Sequence, residues 1–323
     1  MTTQSRQALV GDIGGTHARF AITDIDELTI SHFASFHCAM FGSLQEAIGA
    51  YLQSVPQRPH LAGLAIAGPP AGETVKLTNL PWSFTREEIR AATGAERLCL
   101  VNDFEALALS LPYLSAHDLH RIGGKEPAED APKVVLGPGT GLGVAGLVRS
   151  AAGWIAVPGE GGHVAFAPRT AEELAIADRI RGQTGAYVSA EHLISGPGLL
   201  RAYKALGAMQ VCHAPARDSV EIVRLALAHE DPLAEEALGL FVQWLGRFAG
   251  DVALTYGARG GVYLGGGIAP HIVEALEAPV FRAAFEGKGR LADFLAPIPI
   301  NVIKAADVGL RGAALALSLA VPA

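Results

Sequence analysis

The chain has 323 residues, half of them hydrophobic and 18% charged, with a formal net charge of −7. An acidic balance with scattered Lys and Arg speaks against nucleic-acid or membrane-surface partners. The three cysteines, Cys38, Cys99 and Cys212, are widely spaced and lack a CxxC pair, which leaves no disulfide framework or cysteine zinc site and suits a reducing, cytoplasmic setting. The N-terminal stretch has no signal-peptide apolar core, and the apolar segment 313–321 is too short to span a bilayer.

Leu9–Ile13 and Ala18–Thr23 read as strands joined through Gly14-Gly15-Thr16, a hairpin. A helix follows over Leu44–Leu52, then a buried strand over Leu61–Ala67 closed by Gly68-Pro69-Pro70. Thr85-Arg-Glu-Glu88 is a capping box opening a helix that ends near Gly94. A strand at Leu98–Val101 leads into a helix over Phe104–Leu111, stopped by Pro112. The polar stretch Ser115–Lys133 reads as a domain boundary. Beyond it, Lys133–Gly137 and Leu142–Val148 form a second glycine hairpin. Ala171–Arg181, Leu199–Leu206, Val220–His229 and Pro232–Tyr256 read as helices. Gly261–Leu264 is a strand, Gly265-Gly266-Gly267 a turn, Pro270–Leu276 a helix and Asp307–Ala320 a last helix. The alternation is that of an α/β protein. The two strand–glycine–strand segments, LVGDIGGTHARFAI and VVLGPGTGLGVAGLV, lie about one domain apart, as in a duplicated domain.

Six constellations carry chemistry. Asp12 beside Gly14-Gly15-Thr16 suits a phosphate and its Mg²⁺, with Asp12 holding the ion through water; a plain tight turn has the same residues. Gly137-Pro-Gly-Thr-Gly-Leu-Gly143 has more glycine than a turn needs and reads as a phosphate cradle. Its match to GxGxxG lacks the following helix of a dinucleotide fold, and no Walker A loop is present. The run Gly265–Gly267 admits a flat nucleoside or close strand–helix packing. Asn102 and Asp103, between a strand and a helix, are first of all N-cap candidates, and Asp103 is also a candidate general base. Glu160 and His163, in a glycine-rich loop, suit polar hydroxyl ligands or simple solvation. Glu191 fits a helix first turn, and Ser195 a cap; no GxSxG elbow supports hydrolase chemistry.

Taken together, GDIGGTHARFAI, LTNLPW, LVNDFEALALSL, LGPGTGLGVAGL, PGEGGHVAFAP, EHLISGPGLLRAY and YLGGGIAP occur in the order seen in bacterial glucokinases, and the resemblance runs from about Leu9 to about Ala316. It implies an α/β, two-domain actin-like ATPase (ribonuclease H-like, duplicated) fold with a cleft between a small domain, 1–113 plus 304–323, and a large one, 114–303. It implies transfer of the γ-phosphoryl of ATP to the 6-hydroxyl of glucose, feeding glycolysis, in a cytoplasmic homodimer without nucleic-acid or membrane partners. Carried over by the resemblance, Asp103 is the base. Asn102, Glu160, His163, Glu191 and, in LTNLPW, Asn79 hold the sugar together with Asp103. Asp12, Gly14, Gly15 and Thr16 form the first phosphate loop with its Mg²⁺-orienting carboxylate. Gly139, Thr140 and Gly141 form the second loop, and Gly265, Gly266 and Gly267 the adenosine motif. His17 departs from the Asn often found after GGT. No cysteine-rich zinc motif follows His163, and no DNA-binding extension precedes Leu9. The rival expectations are a kinase for fructose or mannose, a non-catalytic sugar sensor, and a filament or chaperone ATPase.

Overall fold

A computed structural model describes residues 6–56, 58–78, 80–185 and 187–320. The chain groups into two compact units: residues 1–114 with 154–158 and 305–323, and residues 115–153 with 159–304.

The first unit begins with β1 (Gln7–Ile13), β2 (His17–Asp24) and β3 (Ile30–His37), an antiparallel meander. Then come α1 (Leu44–Leu52), β4 (Leu61–Ile66), the short β5 (Thr74–Lys76) and β6 (Ser83–Thr85), α2 (Arg86–Thr93), β7 (Arg97–Asn102) and α3 (Asp103–Ser110). The sheet order is β3-β2-β1-β4-β7, with β4 parallel to both β1 and β7. α1 starts where the Ser43 hydroxyl accepts the Glu46 N–H at 3.2 Å. α2 has the expected capping box between Thr85 and Glu88, and it ends at Gly94 with φ 71°, a left-handed conformation that glycine adopts without penalty.

The second unit contains β8 (Leu119–Arg121), β9 (Lys133–Pro138) and β10 (Leu142–Ser150); of the next strand, β11 (Gly153–Gly159), residues 154–158 group with the first unit. Helices α4 (Ala171–Thr184), α5 (Gly196–Met209), α6 (Ser219–Leu227) and α7 (Pro232–Tyr256) follow, then β12 (Val262–Leu264), α8 (Val273–Glu277), α9 (Pro279–Glu286), α10 (Ala292–Leu295) and β13 (Ile300–Ile303). Within this unit the strand order is β10-β9-β12-β13-β8, with β12 parallel to β9 and β13. The core packs Val134 and Leu136 of β9 against Tyr203, Phe241, Trp244 and Leu245 from α5 and α7. The helix expected over Pro270–Leu276 is broken. A short 3-10 turn, Ala269–His271, is separated from α8 by Ile272, at φ −121° and ψ 26°, which is outside helical geometry.

The chain ends with α11 (Val308–Ala320), which belongs to the first unit. Period-2 alternation sends Leu9 and Ile13 of β1 into the core that contains Leu44, Ile48 and Tyr51 of α1, while Ala8 meets Leu317 of α11 on the other face. With helices on both faces, the central strands are buried throughout. α11 comes close because the sheet has no side chain at Gly63, where a Cβ would lie 2.6 Å from the Ala313 carbonyl oxygen. No helix among the described residues is long and apolar enough to cross a membrane.

Candidate active site

In the first unit the polar residues collect at the carboxyl ends of β1 and β7, the end of an α/β sheet where ligands bind. Asp12 is the last polar residue of β1, and the hairpin register sets Arg19 opposite it. Arg19 donates to Asp12 Oδ2 at 3.1 Å, and the Asp12 side chain is 15% exposed. Burial pushes the Asp12 carboxyl above its usual range, and Arg19 pulls it partly back. The turn beyond is held by Gly14 N–H donating to the His17 carbonyl at 3.0 Å and Cys38 N–H donating to that of Thr16 at 2.8 Å. Gly14 and Gly15 are half-buried, and Thr16 is exposed. Instead of Asn the loop carries His17, whose ring lies edge-on to His37 with centroids 5.0 Å apart.

Asn102 is the N-cap of α3. Its Oδ1 accepts the N–H groups of Phe104 at 3.0 Å and Glu105 at 3.2 Å, and its Nδ2 donates to the Gly68 carbonyl at 3.3 Å. The cap reading of Asn102 is therefore correct, with its oxygen turned into the helix. Asp103 follows as the first residue of α3, half-buried, with Oδ1 accepting the Phe104 N–H at 3.0 Å. Asn79 lies outside the described residues.

In the second unit the two remaining glycine motifs meet. β9 and β12 run side by side and parallel, so the turns after them emerge together. Gly265 N–H donates to the Leu136 carbonyl at 2.9 Å, and Ile268 N–H to that of Pro138 at 3.1 Å. A Cβ on Gly137 would lie 2.5 Å from the Gly265 carbonyl, and one on Gly266, at φ 77°, 2.6 Å from the Pro138 oxygen. Those two glycines serve close backbone packing, whereas a Cβ on Gly267 would meet open space. Within the Gly139-Thr140-Gly141 turn, Gly139 N–H donates to the Gly141 carbonyl, and Gly196 N–H at the start of α5 donates to that of Gly139, both at 2.8 Å.

Glu160, His163 and Glu191 come together beside that turn. Glu160 Oε2 and His163 Nε2 are 3.9 Å apart, with both side chains more than half exposed. Segment 187–191 pins the loop. Tyr187 Oη donates to the His163 carbonyl at 2.6 Å. The N–H groups of Ala190 and Glu191 donate to the Val164 and Gly162 carbonyls at 2.8 and 2.9 Å. Glu191 lies in a turn, not in a helix first turn, and its Oε2 accepts the Leu142 N–H at 2.8 Å. Sequence reading passes over Arg19, Tyr187 and Leu142. Only Arg19 left a signal, since counting back across the hairpin from Ile13 and Ala18 pairs it with Asp12.

Two glycine turns, a carboxylate at a helix N-terminus and a cluster of polar side chains, Glu160, His163 and Glu191, thus occur in one chain. A family model described as Glucokinase matches residues 9–320. The chain belongs to the glucokinase family. It is 44% identical over 321 residues to a glucokinase of Neisseria meningitidis, covering 98% of this chain and 97% of that protein. A crystal structure of a glucokinase from an Antarctic psychrotroph is 38% identical, with a TM-score of 0.83 over 97% of this chain and 99% of that one. A ROK family glucokinase from Streptomyces griseus, solved with glucose and AMPPNP, shares the fold at 18% identity, with a TM-score of 0.67 over 95% of this chain and 98% of that one. The fold is the actin-like ATPase fold of the glucokinase and ROK sugar kinases. Among the described residues, no group of three or more His, Cys, Asp or Glu is arranged to hold a metal. A single carboxylate beside a glycine turn suits Mg²⁺, which keeps most of its waters and shares substrate phosphates; Asp12, desolvated and paired with Arg19, fits that role.

Proposed function

We propose that this member of the glucokinase family transfers the γ-phosphoryl of ATP to the 6-hydroxyl of glucose, with Asp103 as the base. The observation that carries the reading is Asp103 itself, a carboxylate at the first position of α3 at the carboxyl end of β7. It sits within a chain 44% identical to a glucokinase along nearly its whole length.

Phosphoryl transfer asks little covalent chemistry of a protein; alignment and charge neutralisation do most of the work. In this reading Asp103 accepts a hydrogen bond from the attacking hydroxyl and takes its proton as the new P–O bond forms. Glu160, His163 and Glu191 hold the other hydroxyls, with Asn102 and Asn79 assigned to the sugar as well. Because Asn102 Oδ1 already accepts two helix N–H groups, its contribution to the sugar runs through the amide nitrogen, and its cap fixes the position of Asp103. The turns Gly14–Thr16 and Gly139–Gly141 bind phosphates, and Gly265–Gly267 the adenosine. Asp12 would hold Mg²⁺ through water, and the ion would supply neutralisation of the phosphate charge. The glucose and AMPPNP found with the S. griseus enzyme support this pair of substrates. Use of ATP supports a cytoplasmic setting.

The test is phosphorylation by Mg-ATP of glucose, fructose and mannose, with a no-sugar control. Preference for glucose supports the reading. Preference for another hexose corrects the substrate. Absence of sugar-dependent turnover in folded protein overturns the assignment.

A further inference from the structure

Glu191 stands between the two groups of ligand-binding residues in the second unit, and its main chain is fixed on both sides. Its N–H donates to the Gly162 carbonyl at 2.9 Å, tying it to the Glu160–His163 loop. Its carbonyl accepts the Ser195 hydroxyl at 2.7 Å, and that hydroxyl in turn caps α5 by accepting the Gly198 N–H at 3.1 Å. The side chain reaches the other way. Oε2 accepts the Leu142 N–H at 2.8 Å, the first amide after the Gly139–Gly141 turn. That approach requires position 141 to lack a side chain, since a Cβ there would lie 2.5 Å from Oε2. At the far end of the turn, Gly139 is bonded to Gly141 and to Gly196. The turn is thus tied by backbone to β9 and to α5, and the Glu191 carboxylate adds a side-chain contact at its Leu142 end.

A carboxylate has two oxygens and about four acceptor positions, and the Leu142 N–H takes one of them. We infer that Glu191 couples the sugar site to the second phosphate turn: a sugar hydroxyl on Oε1 fixes the carboxylate plane, which fixes the Leu142 amide and steadies the turn for a nucleotide phosphate. The inference rests on the sugar-kinase reading above and adds a direction to it. Ordering the turn in advance lowers what the nucleotide must order when it binds. Sugar therefore tightens nucleotide binding, and by linkage the nucleotide tightens sugar binding by the same factor. Glu191 in this role is a positioning residue as well as a sugar ligand.

The experiment is calorimetric titration of Mg-AMPPNP into the full-length protein, with and without saturating glucose. Glucose is expected to lower the AMPPNP Kd at least about fivefold, within the usual span of coupling between sites. In Glu191→Gln, titrated at glucose concentrations raised to saturation, the ratio is expected to fall to within about twofold of one, because an amide cannot accept on both sides at once. A wild-type measurement guards against a variant that does not fold. Glucose alone, without nucleotide, is expected to slow hydrogen exchange of the Leu142 amide. A wild-type ratio of one, a wild-type ratio retained in Glu191→Gln, or unchanged exchange at Leu142 would each overturn the inference while normal glucose binding and turnover leave the kinase reading intact. Failure of the wild-type protein to bind glucose at all overturns both.

Discussion

A Cβ built on Gly309 lies 2.7 Å from the carboxylate carbon of Asp12. The first turn of α11 therefore closes directly over the polar end of β1, where Arg19 is the charged partner of the Asp12 carboxylate among the described residues. Period-2 alternation brings this about, since Asp12 falls on the same face of β1 as Ala8, which meets Leu317 of the same helix.

This crowding has a pH signature. Burial holds the Asp12 carboxyl above its ordinary 3.8, with Arg19 a partial offset. A carboxyl raised in the folded state stabilises the fold below its unfolded value and loses that contribution as pH rises through the folded one. At pH 7 the ionised Asp12 is thus a burden on the nucleotide-free protein. Asp12→Asn is expected to raise the melting temperature at pH 7 by a few degrees, with the difference closing as pH falls toward 3.8. The same substitution should lower Mg-ATP turnover by roughly a hundredfold or more, as for loss of one group that stabilises transition-state charge. Thermal scans across pH, alongside initial rates, check both halves.

Asp103→Asn is expected to reduce kcat by roughly 10²–10⁴, the usual share of a general base, while glucose affinity stays within a few-fold. The helix should survive, because its cap is Asn102. Single-turnover rates with parallel glucose titrations separate the two effects. A kcat within a few-fold of wild type would remove Asp103 from the role of base.

Much of this was legible in the residues. The two hairpins, the Thr85 cap and the long helix starting at Pro232 follow from local rules, because turn chemistry and capping act over three or four residues. β3 was not legible. Its sequence ISHFASFH forms a largely exposed edge strand and lacks the apolar run that marks a buried one. β13 is four residues long and follows Pro297 and Pro299, which mask it as loop. The bond from Glu191 to Leu142 spans 49 positions, so no spacing within a motif announces it. Gly265–Gly267 carried two readings, and the structure divides them residue by residue: Gly266 packs against backbone, whereas Gly267 faces open space.

The nucleotide side has its own test. A methyl group at position 137 would force β9 and the turn after β12 apart, since both nearest atoms belong to backbone. Gly137→Ala is expected to raise the ATP KM roughly tenfold or more, in line with the cost of displacing a positioned group by about an ångström. The glucose dissociation constant, measured without nucleotide, should change far less. Initial-rate kinetics with ATP varied, set beside glucose titrations, read the contrast.

A buried ion pair bears on stability. Glu173 and Arg247 have side chains 2% and 9% exposed and meet at 3.0 Å through both guanidinium nitrogens. Glu173 also accepts the Arg169 N–H at 2.6 Å, a few residues beyond the loop that presents His163. Arg247→Leu is expected to cost about 3–5 kcal/mol, because it strands a buried carboxylate. Adding Glu173→Gln should return a large part of that loss, since the amide oxygen still serves the Arg169 N–H and no charge is left behind. Urea denaturation midpoints of the three proteins decide it.

The meeting of Gly137 with Gly265 also bears on how the protein is made. Over a third of the chain separates them, and that interval includes α4 to α7, which build the core beneath them. During synthesis the turn at Gly137 leaves the ribosome long before its neighbour exists, so a nascent or truncated chain lacks the surface proposed above for adenosine however well its early hairpin folds. ATP can therefore act as a ligand chaperone only for the nearly finished chain, and proteolytic fragments ending anywhere within the interval should be silent in nucleotide binding.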